Sequence, residues 1–502
     1  MKKTMRSLLC LVLVLLLAVG CLTACGDKPA DTSEPTSGDE SSAPENPGES
    51  SETGDESGDP TDPENPDATT GTGESGTTAS AWINIPTSGK NAGKTTAKTT
   101  TKKQQLTTKP STAVGNDFWS SIPKELSGKT VKYLTWWEIG DGEKAMAENF
   151  KKKTGMTVKP EVIALDKYEE KLAAKAVSGG ADCAALRAEY YPQQITKRLF
   201  TPISKGAFDL TDPIYDLSSM EYFKWKGDYY GVEFQCGTSM HYLLCLWYKD
   251  IFKSKKLTTT PQTLWKSNNW NWDTMLDLAK KTTDTNIFGL GFIWNWFWVA
   301  SRNSDLILKT DDAFVSNFDD PNIYEGFKYA YDLRYTYKVS PPGYGTLDEF
   351  ISGKFAMFII EDYGAQDRNI GEMKDEWGCV PMPAPKGQSY VTPCTGHLWG
   401  LINKAKNPKG ASYWLRYVQD DDNQLVPDYT NKEVYDVEAW QAAQPKRIWL
   451  SNGVINYGGE HEYQEFQNDI DKALPGELQS KLNKWRSVYE ANLAKIMKEY
   501  NS

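Results

Sequence analysis

Residues 131–137 are VKYLTWW, an alternating run that is typical of a β-strand. Residues 143–154 follow with the spacing of a helix, and residues 158–163 have the pattern of a second strand. Residues 168–177 are predicted to form a second helix, which ends at Gly179-Gly180. This alternation predicts an α/β fold with βαβ units, a parallel sheet and a ligand crevice at the carboxyl ends of its strands.

The N-terminus has the pattern of an export signal. A basic n-region precedes an apolar run from Leu8 to Val19. The run ends in residues 22–25, LTAC, which resemble the lipobox of bacterial lipoproteins. The resemblance implies a signal peptide of residues 1–24 and a diacylated Cys25 that anchors the protein to the outer face of a Gram-positive cell membrane. The alternative is an uncleaved membrane anchor, because the apolar run approaches the roughly 20 residues that span a bilayer.

Residues 25–115 consist mainly of Ser, Thr, Gly, Pro and charged residues. They contain too few apolar side chains to offset the entropy of ordering, so we expect a disordered tether. Its first half is acidic, and its second half carries lysines at every fourth position from Lys90 to Lys102. These lysines could contact anionic wall polymers, but a solvated spacer is the favoured interpretation.

Composition and missing motifs exclude several classes of function. The net charge of −11 argues against a nucleic-acid partner, which would require a basic face. The three histidines form no HxH or HExxH motif, so we predict neither a metal nor another cofactor. The sequence contains no GxSxG elbow and no P-loop. None of the eight cysteines has CxxC spacing, and buried structural thiols are favoured.

The globular part, residues 116–502, contains an ordered series of short motifs. The segments that carry it are YYGVEF (229–234), WYKDIF (247–252), WNWDTMLDLAK (270–280), FISGKFAM (350–357), VPMP (380–383), GHLWGLI (396–402) and the helical pattern of 408–418. Together they resemble the family 1 extracellular solute-binding proteins of carbohydrate ABC transporters. In the third segment, Asp273 or Thr274 is predicted to cap a helix.

The resemblance implies a two-lobe, periplasmic-binding-protein-like fold of type II with a hinge. It also implies a monomer that is not an enzyme, and that captures a sugar or oligosaccharide for the permease subunits of an ABC transporter. Lobe one is expected at about 116–235 and 403–446, and lobe two at about 236–402 and 447–502. Nearly 390 residues also exceed the usual size of one hydrophobic core.

A sugar site needs flat aromatic rings for the C–H faces of the sugar and fixed polar groups for its hydroxyls. Seventeen of the eighteen tryptophans lie after the tether. Ten residues near strand ends or in the motifs are predicted to contact ligand: Trp136, Trp137, Glu138, Glu189, Tyr190, Trp294, Trp296, Asp362, His397 and Trp399.

Several of these predictions have a structural alternative. Along a strand, Trp294, Trp296 and Trp298 would share one face, either as a platform for ligand or as core. Residues 287–293 are expected to form the buried strand before them, so a loop at its carboxyl end is the favoured location of residues 294–298. Glu138 could instead be a charge at a helix N-terminus. A lone histidine such as His397 is more often structural.

Two other classes of function stay open at this point. A glycoside hydrolase would also be exported and rich in aromatic residues, and Glu138 and Asp362 could be its two carboxyl groups. A surface scaffold that binds polysaccharide without transport fits the long tether. Peptide or polyamine ligands of the same broad fold are a further alternative.

Overall fold

The computed structural model describes residues 116–234, 240–310, 312–362, 370, 373, 375–419, 437, 445–455, 457, 460–474 and 476–501. The predicted signal peptide, Cys25 and the tether lie outside these residues. The described strands are numbered β1 to β14 in chain order. They are Thr130–Thr135, Thr157–Val162, Cys183–Arg187, Phe200–Thr201, Lys224–Trp225, Asp228–Tyr229, Met240–Tyr248, Gly291–Phe292, Ile307–Lys309, Phe314–Ser316, Met357–Glu361, Trp377–Pro381, Thr392–Ile402 and Lys446–Ile448.

The described α-helices are numbered α1 to α15 in the same way. They are Asn116–Ser120, Asp141–Thr154, Tyr168–Ser178, Tyr191–Thr196, Leu217–Met220, Lys249–Ser254, Pro261–Lys266, Trp272–Thr282, Trp296–Ala300, Pro321–Tyr331, Leu347–Ile351, Pro408–Val418, Ser451–Ile455, Glu460–Asp471 and Leu478–Asn501. Within the described residues, no helix has the length and apolar character needed to cross a membrane.

The first sheet region has the order β2-β1-β3-β13. Strands β1, β2 and β3 are parallel, as the βαβ pattern predicts, and β13 runs antiparallel to β3. Asp182 ties these strands together from a buried position, because its carboxylate accepts hydrogen bonds from the backbone N–H groups of Lys132 at 2.8 Å and Asn407 at 2.7 Å. Helix α12 begins directly after Asn407 and packs on β1 and β13. This region is lobe one.

The second sheet region is built around β7. Strands β11 and β12 pair with β7 on its two sides in antiparallel orientation, and β8 pairs with β11 in parallel. Residues Leu243 to Leu246 of β7 and the whole of β11 are buried. This region is lobe two, and its strands are mainly antiparallel rather than the parallel units seen in lobe one.

One expectation about local structure is wrong, and a second is met only in part. The strand expected over 287–293 is only Gly291–Phe292, because Phe288 pairs with Phe355 as an isolated bridge and the chain enters helix α9 at Trp296. Helix α8 is capped by Asn271, whose Oδ1 accepts hydrogen bonds from the backbone N–H groups of Asp273 and Thr274. Asn271 has the extended backbone of an N-cap residue, whereas Asp273 and Thr274 already lie within the helix. Thr274 nevertheless takes part in the cap, because its Oγ1 accepts a hydrogen bond from the backbone N–H of Asn271 at 3.0 Å.

The C-terminal helices pack against elements of both lobes. Helix α15 contacts α4 of lobe one and both β10 and α10 of lobe two. Helix α13 lies directly on the turn that follows β3, and Gly453 makes this approach possible. A Cβ atom at Gly453 would lie 2.6 Å from Pro192 Cδ and 3.2 Å from the carbonyl oxygen of Ala188. The C-terminal segment therefore borders the space between the lobes.

Candidate ligand-binding site

Strands β7 and β13 connect the two lobes. The first part of β13 pairs with β7, and from His397 onward the same strand pairs with β3 of lobe one. Gly396 lies at this change of partner and has a φ of +138°, a conformation that residues with a Cβ rarely adopt. The change of partner and the glycine together place the hinge at this point of the chain.

The lobe-one side of the hinge carries a cluster of aromatic rings. The ring of His397 lies 5.1 Å from Trp136, 5.1 Å from Trp399 and 6.3 Å from Trp137, measured between centroids. Trp136 is half-buried, whereas Trp137 and Trp399 are buried. Trp136 therefore presents accessible surface, and the other two tryptophans pack behind it.

Arg187, at the end of β3, joins two of the predicted ligand residues. Its guanidinium carbon lies 5.4 Å from the ring centroid of Trp136 and 4.9 Å from that of Tyr190. Nη2 lies 2.6 Å from Glu189 Oε2, and Nη1 lies 3.9 Å from Glu169 Oε1. Burial alone would lower the pKa of Arg187, but Glu189 and Glu169 raise it above its usual value. The guanidinium stays charged and fixes both aromatic rings.

Asp362 lies just past the end of β11, at the hinge side of lobe two. Its Oδ1 is 3.4 Å from Nδ1 of His241, which lies near the start of β7. Burial first, and then His241 and Arg187, lower the pKa of His397 well below its usual range. His397 is therefore a neutral imidazole at neutral pH, able to both donate and accept a hydrogen bond. Its Nε2 and Asp362 Oδ1 are buried and have no hydrogen-bond partner within the described residues.

Trp294 is the accessible aromatic residue of lobe two. It follows β8 directly, is half-buried, and its ring lies 5.1 Å from Tyr344 and 6.4 Å from Tyr463. Burial and the charges of Glu189, Glu361 and Asp471 raise the pKa of Tyr463. Tyr463 therefore lies within electrostatic reach of Glu189 in lobe one and of Glu361 in lobe two.

The structure decides between the alternatives for the tryptophan run, whereas the ligand contact predicted for Glu138 stays a prediction. Trp294 lies in the loop after β8, and residues Trp296–Ala300 form helix α9 rather than a strand, so Trp294, Trp296 and Trp298 do not share one strand face. Trp296 is only 2% exposed and stacks on Trp449 with centroids 5.0 Å apart, which is a core position. Glu138 is exposed and lies before the first turn of α2.

The helix N-terminal role considered for Glu138 belongs to Glu143. The Glu143 carboxylate accepts hydrogen bonds from Trp137 Nε1 at 3.0 Å and from the backbone N–H of Gly140 at 3.1 Å. Burial raises the pKa of Glu143, and these two hydrogen bonds oppose the rise. The first of these hydrogen bonds anchors the Trp137 indole to the first turn of helix α2.

A separate cavity of about 480 Å³ has no residue in common with the predicted site. It lies beside β4 and the end of α15, and its lining includes Arg198, Lys226, Tyr230, Asn403 and Asn501. None of the ten predicted ligand residues lines this cavity, so its volume alone does not identify the predicted site. The convergence of rings, carboxylates and a neutral imidazole at the hinge is the stronger indication.

Sequence reasoning did not single out Arg187, His241, Tyr344 or Tyr463 as site residues. Each reaches the site through a neighbour that is distant in sequence: His241, for example, lies in β7 and meets Asp362 across the sheet. The order of the strands is a signal that could have found Arg187 and His241, because the end of β3, the start of β7 and the end of β11 all lie near the hinge.

Residues 145–427 match the family of bacterial extracellular solute-binding proteins, and the match covers more than half of the 502 residues. The chain belongs to this family. No curated protein matches the sequence of this solute-binding protein.

Solved structures share the fold of this solute-binding protein at low sequence identity. A cyclo/maltodextrin-binding protein complexed with maltotetraose is 19% identical with a TM-score of 0.57, over 74% of this chain and 96% of the other. A cyclic α-maltosyl-1,6-maltose binding protein from Arthrobacter globiformis is 17% identical with a TM-score of 0.59, over 72% and 98%. An extracellular solute-binding protein from Staphylococcus aureus in complex with maltose is 14% identical with a TM-score of 0.55, over 73% and 98%. The predicted two-lobe α/β fold is confirmed.

Proposed function

We propose that this solute-binding protein captures a sugar or oligosaccharide between its lobes and delivers it to the permease subunits of an ABC transporter. The observation that carries the proposal is the pair of accessible tryptophans, Trp136 on lobe one and Trp294 on lobe two, each with carboxylates nearby. The sugar ligands of the structural neighbours, maltotetraose and maltose among them, support it.

The chemistry of these side chains suits a sugar. An indole face packs against the C–H face of a pyranose ring, and a carboxylate accepts hydrogen bonds from ring hydroxyls. Asp362 Oδ1 and His397 Nε2 are polar atoms that accept no hydrogen bond within the described residues, so a ligand hydroxyl can bond to them. Closure about Gly396 would bring the lobe-one rings toward the lobe-two carboxylates.

The proposal distinguishes contact residues from supporting residues. Trp136, Glu189, Tyr190, Trp294, Asp362 and His397 are proposed to contact ligand. Trp137 and Trp399 are buried behind Trp136, and we propose that they hold its ring in place.

A thermal-shift screen of the purified protein against a panel of mono- and oligosaccharides tests the proposed ligand class. A ligand present at 100 times its Kd stabilises a protein by about 2.7 kcal/mol, which gives a clear rise in Tm. We expect a selective rise with one class of glycan and no release of hydrolysis products. Product release would instead establish a glycoside hydrolase, and a flat response across the panel would refute the sugar.

We also propose that Cys25 is lipidated and anchors the protein to the membrane. The export signal and the LTAC sequence before and including Cys25 support this. Expression of the Cys25→Ser protein in a bacterial host supplied with labelled palmitate tests it. We expect label in the membrane fraction of the wild type and none in the variant; equal labelling of both would contradict the anchor.

A further inference from the structure

A buried arginine, Arg334, lies against Tyr344, whose ring packs on Trp294 of lobe two. Arg334 belongs to a single π-helical turn, Asp332–Thr336, which follows α10, and its side chain is only 1% exposed. Its guanidinium carbon lies 4.4 Å from the ring centroid of Phe292 and 5.6 Å from that of Tyr344. Burial of a charge is unfavourable without compensation, and π-helical turns occur frequently at functional sites. This arginine therefore requires an explanation.

The partner of Arg334 comes from the C-terminal segment. Arg334 Nη1 lies 3.3 Å from Asp471 Oδ1, and Asp471 also accepts a hydrogen bond from Asn295 Nδ2. Burial raises the pKa of Asp471, and the charge of Arg334 opposes that rise. The Tyr344 hydroxyl lies 3.4 Å from Gln467 Oε1 and also contacts the Asp471 carboxylate, so its single proton is shared between two acceptors. Five polar side chains thus form one connected network.

This network is incompletely satisfied. The buried atoms Arg334 Nε, Arg334 Nη2, Gln467 Nε2 and Asn295 Oδ1 have no hydrogen-bond partner within the described residues. Buried polar groups without partners are rare in native proteins, and they are retained where function requires them. A hydrophobic pair of similar volume would often stabilise the fold as well or better. Stability alone therefore does not account for the network.

Two members of the network control the position of Trp294. Asn295 follows Trp294 in the chain and is hydrogen-bonded to Asp471. Tyr344 packs against the ring of Trp294, with the two ring centroids 5.1 Å apart. Arg334 contacts the Tyr344 ring and pairs with Asp471, so it holds both of these neighbours of the Trp294 loop in position. A single buried guanidinium thereby fixes the loop that carries the tryptophan and one of the two tyrosine rings that pack against it.

We propose that Arg334 and Asp471 are positioning residues that set the orientation of Trp294 for stacking on the ligand. This inference rests on the proposed sugar site, in which Trp294 contacts ligand. It assigns Arg334 and Asp471 a role in ligand discrimination although neither touches the ligand. The C-terminal segment, which supplies Asp471, thereby becomes part of the lobe-two site.

The orientation of Trp294 can be measured without any ligand. The protein is labelled with 5-fluorotryptophan, and the fluorine resonance of Trp294 is assigned with a Trp294→Phe variant. We expect Arg334→Met to displace or broaden that resonance. Arg334→Lys should have the same effect to a smaller degree, because an ammonium can pair with Asp471 but cannot lie flat on two aromatic rings. This second variant retains the charge and keeps the test valid if Arg334→Met folds poorly.

A second buried arginine provides the matched control. Arg416 has a side chain only 3% exposed, and its Nε lies 3.0 Å from Asp212 Oδ2 in lobe one. Arg416→Met removes a comparable buried ion pair, so it should lower Tm in a similar way and leave the Trp294 resonance unchanged. The proposal is overturned if the resonance is unmoved in both Arg334 variants, or if it moves equally in Arg416→Met.

The ligand readout separates this inference from the proposed function. For any glycan that the panel identifies, Arg334→Met should weaken binding about tenfold, and Arg416→Met should not. If no glycan binds while the Trp294 resonance responds only to Arg334, the positioning role stands and the sugar assignment fails. The positioning role would be overturned if Arg334→Met bound the glycan with wild-type affinity while Trp294→Phe bound it more weakly.

Discussion

Nδ1 of His241 lies 3.4 Å from Oδ1 of Asp362, and this contact joins a strand that crosses between the lobes to the loop at the end of β11. It places a carboxylate of lobe two directly beside the hinge. His241 also lies close enough to His397 to help lower the pKa of that second imidazole. The two histidines and the aspartate thus form the polar centre of the proposed site, with aromatic rings on both sides.

We predict that Asp362→Asn weakens glycan binding by about tenfold or more. Hydrogen bonds to a charged acceptor contribute about 1.5 to 3 kcal/mol, and an amide is a weaker acceptor than a carboxylate. Isothermal titration calorimetry with the glycan from the panel measures the change. Asp277→Asn is the matched control, because Asp277 is exposed on α8 of the same lobe and pairs with Lys281 one turn along that helix. Equal affinities in the two variants would remove Asp362 from the site.

Arg187→Lys should also weaken binding, by about tenfold. A lysine can keep the charge near Glu189, but it cannot lie between the rings of Trp136 and Tyr190, and desolvated cation–π contacts contribute up to about 2 kcal/mol. The same calorimetric titration applies. Arg198→Lys, at an exposed arginine outside the hinge, serves as the control and should bind as the wild type does. Wild-type affinity in Arg187→Lys would show that the rings do not depend on this guanidinium.

The sequence predicts those parts of the fold that depend on local patterns. The helix predicted over 408–418 is observed with the same bounds, and the strands and helices between residues 130 and 178 follow the predicted order. In both cases the apolar spacing extends over a full element, and capping residues or glycines define its ends. In these elements the local sequence pattern and the tertiary packing favour the same secondary structure, so the prediction holds.

The tryptophan run shows why the rest escapes prediction. Its period of two extends over only five residues, too few to distinguish a strand from a short buried helix. In α9, Trp296 packs on Trp449, whereas Trp298 packs on Trp272, so burial on several sides decides the structure. The contacts of Arg187 and His241 depend on strand register across the sheet. The paired strands are far apart in the chain, so no tight turn between them fixes that register.

Stability should fall as the pH is lowered below about 6.5, the usual pKa of an unfolded histidine. The pKa of His397 is depressed in the folded protein by burial and by the nearby charges of His241 and Arg187. Between the folded and unfolded pKa values the unfolded chain binds the extra proton, so protonation favours unfolding. The limiting slope for one group is about 1.4 kcal/mol per pH unit. We expect the free energy of unfolding, measured with urea at pH 5, 6 and 7.5, to depend less steeply on pH in His397→Gln than in the wild type. Superimposable pH profiles would contradict this assignment.

Trp294 and Trp296 are two residues apart in sequence, yet the structure gives them different roles. Trp296 is 2% exposed and stacked on Trp449, so Trp296→Ala should cost about 3 to 5 kcal/mol of unfolding free energy. Trp294 is half-buried, so Trp294→Ala should cost clearly less stability but abolish most of the glycan affinity. Urea unfolding and calorimetric titration of the two variants separate these effects, and each variant is the control for the other. A Trp294→Ala protein that binds glycan normally would place the ligand elsewhere, and a Trp296→Ala protein of normal stability would contradict the stacked core pair.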